Sequence, residues 1–191
     1  MKRVFYILLI IVVLYVIYVI YVLTRKRKVT IESHSGQGPK TITLNHPDSN
    51  YSNIDDDTYR ALFSDISKIF SKEIAELVEK IYRLETAHFK SEQYRNTGSA
   101  GMLSFGSVYP YGWYRLMPFW IANPQWSPTG VGYTFKKGNQ TFEYLKFPNF
   151  GGFYTLAYFL SSNRPGRWYS TETEKQKEYE QKLENIQTKY V

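Results

Sequence analysis

A mainly α domain with a smaller β contribution (an α+β arrangement), preceded by a single N-terminal transmembrane helix, is the architecture this sequence predicts. Three observations carry that expectation. Residues Val4 to Leu23 contain no charge. Two successive segments between Asp55 and Glu85 place apolar residues at helical spacing. From Gln93 to Thr171 the chain turns dense in Tyr, Phe, Trp, Gly and Pro, which suits packed loops and short strands rather than long helices. The chain then divides into an anchor with basic flanks (1–28), a polar linker (29–54) and a folded domain (55–191).

The first element is the run VFYILLIIVVLYVIYVIYVL. About 20 such residues, rising ~1.5 Å each, match a hydrocarbon core roughly 30 Å thick. Lys2-Arg3 and Arg25-Lys26-Arg27-Lys28 would hold its two ends among lipid headgroups. The run is too long for a signal-peptide core, and no small-residue cleavage site follows it, so a retained single-pass anchor with the bilayer as partner is expected. The larger basic cluster lies after the span, which leans towards a cytoplasmic C-terminal side. The stretch from Val29 to Asp57 is polar, and its alternating runs VTIES and KTITL are able to pair as strands without anything forcing them to.

Asp55, Asp56 and Asp57 open the first helix of the domain with capping oxygens and charge favourable to a helix start. Tyr59, Leu62, Phe63, Ile66, Ile69 and Phe70 form its apolar stripe. A second helix restarts near Ser71, with Ile74, Leu77, Val78, Ile81 and Tyr82 on one face. Advancing roughly 100° per residue from Ile74 brings Glu85 back onto that face, about 20° from the start. Glu73, Glu76 and Glu79 fall on the sides and back, where water can reach them. A carboxyl group aimed at the core is partly desolvated, which favours its neutral form and raises its pKa. Such a group is a candidate general acid, and a structural, paired glutamate is the competing reading.

Beyond the loop containing Gly98 and Gly101, Glu143 is the only carboxylate before the C-terminal segment. Phe153, Leu156, Ala157 and Leu160 mark a buried helix after Gly151-Gly152. Thr171-x-x-Glu174 is a capping-box pattern, and Tyr179, Leu183, Ile186 and Tyr190 follow at helical spacing.

Composition narrows the chemistry. The 191 residues contain no cysteine, so disulfides and thiolate metal sites are excluded. His34, His46 and His88 show no ligand spacing, and no metal or cofactor is expected. A net charge of +7 and a pI near 9.3 suggest an anionic neighbour: membrane, cell-wall polymer or nucleic acid. The positive charges are dispersed and no nucleic-acid motif is present, so nucleic acid is not expected.

The residues LETAHFKS, followed by NTGSAGM, resemble the active-site region of lysozyme-like peptidoglycan hydrolases. Glu85, Thr86 and Ser91 are similar to the start of the glucosaminidase pattern, and Gly101 and Met102 to its continuation. Gly98-Ser99-Ala100-Gly101-Met102 also resembles the corresponding stretch of lytic transglycosylases. Towards the C-terminus, SSNRPGRWYSTE and YEQKLENIQTKY look like the closing segment of the glucosaminidases. Ala87 stands where that family usually has glycine, and Phe147 stands near an expected tyrosine.

The resemblance implies a lysozyme-like catalytic domain over 55–191 that cleaves the β-1,4 glycan backbone of peptidoglycan, with Glu85 catalytic. It also implies that Gly101 and Met102 contact substrate, and a membrane-anchored, phage-encoded enzyme is compatible with it. Glycosidases usually need two carboxyl groups across the scissile bond. Glu92 and Glu143 are poor candidates for the second, which points to single-glutamate chemistry, either lytic transglycosylation or hydrolysis assisted by the sugar's acetamido group. Tyr94, Tyr111, Trp113, Tyr144 and Phe147 are candidates for a sugar groove, with core packing as the competing reading for each. His88, placed on the same helical face as Glu85, is a candidate hydrogen-bond partner for it, with a satisfied structural histidine as the stronger competing reading. The alternative function is a non-catalytic, membrane-anchored virion or envelope protein with a glycan-binding fold.

Overall fold

The computed structural model describes residues 12–14, 17, 28–31, 40–43, 51–102, 113–162 and 172–191. Among these, no helix is long and apolar enough to cross a membrane. Of the expected span only residues 12–14 and 17 are described, in helical conformation, and the rest lies outside the described residues. The expected transmembrane helix, the bilayer as partner and the single-pass membrane location are corrected on that finding. What the structure shows is a mainly helical domain with small antiparallel β pairs.

The runs VTIES and KTITL do meet. Strand β1 (Lys28–Ile31) pairs antiparallel with β2 (Lys40–Thr43), Val29 opposite Ile42 and Thr30 opposite Thr41. The packed core begins with Tyr51, which is buried and whose hydroxyl oxygen accepts the Phe150 backbone N–H at 2.8 Å.

Helix α1 (Asp56–Ile69) starts where Asp55 accepts the Thr58 N–H at 2.6 Å. Helix α2 (Lys72–Glu85) starts where Ser71 accepts the Ile74 N–H at 3.2 Å. Both caps were legible from the residue types, and the two apolar stripes pack on each other. The short α3 (Glu92–Thr97), capped by Ser91, ends at Gly98 in left-handed conformation (φ 64°). A Cβ there would stand 2.1 Å from the Tyr51 ring, so glycine is required for space as well as for backbone angle.

The aromatic region holds a helix that its punctuation did not predict. Helix α4 (Trp113–Ala122) runs through Pro118. Proline removes one intrahelical hydrogen bond, but tertiary packing outweighs the loss. Leu116, Phe119 and Trp120 are buried, Phe119 stacks on Tyr158 at 4.6 Å, and the Trp120 indole donates to the Thr155 hydroxyl at 2.9 Å. A single 3-10 turn (Pro124–Trp126) leads into the hairpin of β3 (Gly130–Lys137) and β4 (Gln140–Lys146).

Helix α5 (Gly151–Ser162) is the central element, with Phe153, Leu156, Ala157 and Leu160 buried as their spacing predicts. Phe153 lies flat on Tyr82 of α2, ring centroids 3.7 Å apart at 6°. Helix α6 (Thr173–Glu184) starts and stops differently from the sequence expectation. Its N-cap is Glu172, without a side-chain bond, while Thr171 lies outside the described residues. It ends at Glu184, and Tyr190 belongs to an extended tail that returns to α1 and α2, stacking on Tyr59 at 5.0 Å. Glu79, expected in water, is fully buried beneath that tail.

Candidate functional site

The C-terminal end of α2 is fixed by its own residues. The Thr86 backbone N–H donates to the Tyr82 carbonyl at 3.0 Å, and the Thr86 hydroxyl donates to the same oxygen. That hydroxyl in turn accepts the Phe89 N–H at 2.9 Å. The chain leaves through three consecutive left-handed residues, Ala87 (φ 49°), His88 (φ 57°) and Phe89 (φ 68°). Each is disfavoured for a residue carrying a Cβ. Phe89 is held by packing on Tyr59, with ring centroids 4.6 Å apart.

Glu85 is therefore the last residue of a rigid helix. It is half-buried, as the 100° count predicts. Burial pushes its carboxyl pKa up, while the Tyr179 hydroxyl and the Lys182 ammonium pull the other way. Its charge is felt at Tyr144, whose phenol is pushed up by burial, then by Tyr133, then by Glu85. Three elements thus converge on one carboxyl group: α2 supplies Glu85, β4 supplies Tyr144, and α6 supplies Tyr179 and Lys182. The result is a carboxyl group inclined by burial towards its protonated form and opposed in that by a phenol and a cation.

The remaining expected site residues scatter. Tyr94 is fully buried, its hydroxyl 2.9 Å from that of Tyr59, and it packs on Tyr51, Tyr82 and Phe153. Phe147 is also fully buried, with its backbone N–H donating to the Thr97 carbonyl at 2.8 Å. Both are core residues, which corrects their placement in a groove. Met102 is buried too, and its carbonyl accepts the Leu145 N–H at 2.9 Å, tying the glycine loop to the edge of β4. Gly101 (φ 88°) borders open space, since a Cβ there would meet nothing within 4 Å. Tyr111 lies outside the described residues, and of Trp113 only the backbone, at the start of α4, is described.

His88 is exposed and lies 3.4 Å from Arg83, not on the face of Glu85, because the helix has already ended. Glu92 is exposed in the first turn of α3. Glu143 alternates onto the opposite face of the hairpin from Tyr144. The side chains that shift the Glu85 carboxyl are Tyr179 and Lys182. Tyr179 and Lys182 were missed as neighbours of the site. The spacing of Tyr179 marks a docking stripe, and a docking stripe gives no sign of which group it docks beside.

A scan against protein-family models finds no match, and comparisons with curated proteins and with solved structures find none. The resemblance to lysozyme-like peptidoglycan hydrolases is accordingly corrected, and with it peptidoglycan as a partner and a phage-encoded source. It rested on short motifs with loose spacing, and two of its positions, Ala87 and Phe147, depart from the pattern. The cell-wall reading loses its second support with the membrane anchor.

Proposed function

We propose that Glu85 is the acid and then the base in cleavage of a β-1,4-linked glycan. One observation carries the reading: a half-buried carboxyl at the end of a rigid helix, inclined by burial to hold its proton and met by groups from two other elements. The protonated carboxyl gives its proton to the glycosidic oxygen as the C–O bond breaks, and the departing sugar leaves as an alcohol. The resulting carboxylate then takes a proton from the hydroxyl that attacks the anomeric carbon, either water or a hydroxyl of the substrate itself. Lys182 and the Tyr179 phenol favour the anion formed between these steps. The side chains that act on the Glu85 carboxyl are a phenol and an ammonium, which supports single-carboxyl chemistry, an accepted exception to the two-carboxylate rule.

The test is Glu85→Gln in the full chain, assayed on purified peptidoglycan and on chitin with mass spectrometry of the released ends. Loss of product with an unchanged thermal melt is expected. Product formation by that variant at the wild-type rate overturns the reading. The end-groups released by the wild type distinguish hydrolysis from intramolecular attack.

A further inference from the structure

Residues 186–191 form neither helix nor strand, yet three of them are gripped from α1 and α2 by directed contacts. The backbone N–H groups of Lys189, Tyr190 and Val191 donate to the Glu79 carboxylate at 2.6, 3.0 and 3.2 Å. The Lys189 ammonium and the Tyr190 hydroxyl donate to the two oxygens of Asp56, at 2.6 and 2.8 Å. The Tyr190 ring lies nearly parallel to those of Tyr59 and Phe63, and the Arg83 guanidinium stands 5.1 Å from its centroid. Both carboxylates and the walls of this aromatic slot come from the first two helices.

Packing alone does not call for such an arrangement. An apolar side chain at position 79 would fill the same space, and buried ionic groups are often no better for stability than apolar ones. A carboxylate that takes successive amides recognises an extended main chain whatever its side chains. Asp56 and the slot then read a cation followed by a phenol, so main-chain capture and side-chain pockets work together as in peptide recognition. Lys189 is exposed and Tyr190 and Val191 are only half-buried, so the segment lies on the surface rather than within the core. Its fit is also incomplete. Among the described residues, the buried Nη2 of Arg83 has no hydrogen-bond partner, a donor that the segment leaves unspent.

We propose that the cleft of Asp56, Tyr59, Glu79 and Arg83 is a recognition site for extended peptides in which a basic residue precedes tyrosine, and that residues 189–191 occupy it as a tethered ligand. A partner peptide that also brings an oxygen acceptor to Arg83 Nη2 fits the cleft better than the chain's own segment. Tethering gives the resident segment an effective concentration on the order of millimolar, so a free peptide replaces it only where the resident is weakened or outnumbered.

The experiment is fluorescence anisotropy of a labelled peptide, NIQTKYV (residues 185–191), titrated with the full chain carrying Tyr190→Ala. Binding is expected, at least tenfold tighter than to the wild-type chain, whose own segment competes. The Tyr190→Ala change made in the peptide should weaken binding at least tenfold. Lys189→Glu in the peptide should do the same, and pairing that peptide with Asp56→Lys in the chain should restore binding, a response that unspecific apolar adhesion would not give. A second measurement needs no variant: excess unlabelled peptide should speed hydrogen exchange at the Lys189, Tyr190 and Val191 amides of isotopically labelled wild-type chain, followed by NMR. Absent binding to a Tyr190→Ala chain of unchanged circular dichroism, binding indifferent to the tyrosine or to the charge exchange, or unaltered amide exchange in the wild type overturns the site. The cleft then serves only to close the fold.

Discussion

Glu79 and Tyr190 are joined across most of the folded chain: the Tyr190 backbone N–H lies 3.3 Å from Oε1 and 3.0 Å from Oε2 of the Glu79 carboxylate. The same carboxylate accepts the Lys189 N–H at 2.6 Å and the Val191 N–H at 3.2 Å, and Arg83 donates to it at 2.7 Å. The Arg83 guanidinium is itself sandwiched near the Phe89 and Tyr190 rings, 5.5 Å and 5.1 Å from their centroids. Outside this knot, Lys189 and the Tyr190 hydroxyl both reach Asp56 on α1, at 2.6 Å and 2.8 Å.

Removing the carboxylate leaves three amide donors and a buried guanidinium without their acceptor. Glu79→Ala is therefore expected to cost about 3–5 kcal/mol of stability. Urea unfolding followed by far-UV circular dichroism measures it, and a loss below 1 kcal/mol would contradict the geometry.

Gly98→Ala meets two obstacles together, a left-handed backbone and the Tyr51 ring in the space a methyl group would need. The expected loss is on the order of 3 kcal/mol. Tyr51→Ala costs stability by itself through lost core packing, but it should cost less in the Gly98→Ala background, where it also removes the clash. Denaturant midpoints of the single and double variants provide the comparison.

Ala87→Gly acts in the opposite direction. Ala87 is exposed with φ 49°, so glycine relieves a conformational penalty without losing buried surface. A gain of roughly 0.5–1 kcal/mol is expected, net of the extra freedom glycine brings to the unfolded chain. A lower melting temperature for this variant would show that the left-handed turn is not strained.

The pH dependence follows from Glu85. Its folded pKa lies above the ordinary value of 4.5, so the folded protein holds this proton where the unfolded chain has released it. The corresponding stability is fully present below about 4.5 and is lost as pH rises through the folded pKa. Glu85→Gln should remove that decline, flattening stability against pH in the acid-to-neutral range. The cleavage rate of the wild type should fall over the same window, because only the protonated acid can start the reaction. Parallel pH series of the melt and of product release test both limbs.

Much of the helical frame was readable from local chemistry. Asp55 and Ser71 announce helix starts by residue type, and the stripes of α1, α2 and α5 follow from spacing alone. Glu85 was found because a single-helix periodicity argument is enough to say which way it points. Glu79 was misread by the same argument, since its face is buried by residues 110 and more positions away and no helical wheel contains them. Helix α4 was missed because Pro118 and its neighbours carry a breaker signal that only packing against α5 overrides. The phenols beside Glu85 come from β4 and α6, and their meeting is a property of the assembled fold.

The buried carboxylate of α2 has a consequence for the order in which the molecule assembles. Helices α1 and α2 are contiguous, capped by local residues, and able to pair as soon as both exist. Glu79 and Arg83 nevertheless face water until residues 189–191 arrive to cover them. A chain emerging from the ribosome therefore carries an exposed charged pair on its first helical hairpin throughout the synthesis of the aromatic region. Closure of that long loop is what covers the buried carboxylate of the helix bearing Glu85, so the stability of this helix is tied to residues more than 100 positions away.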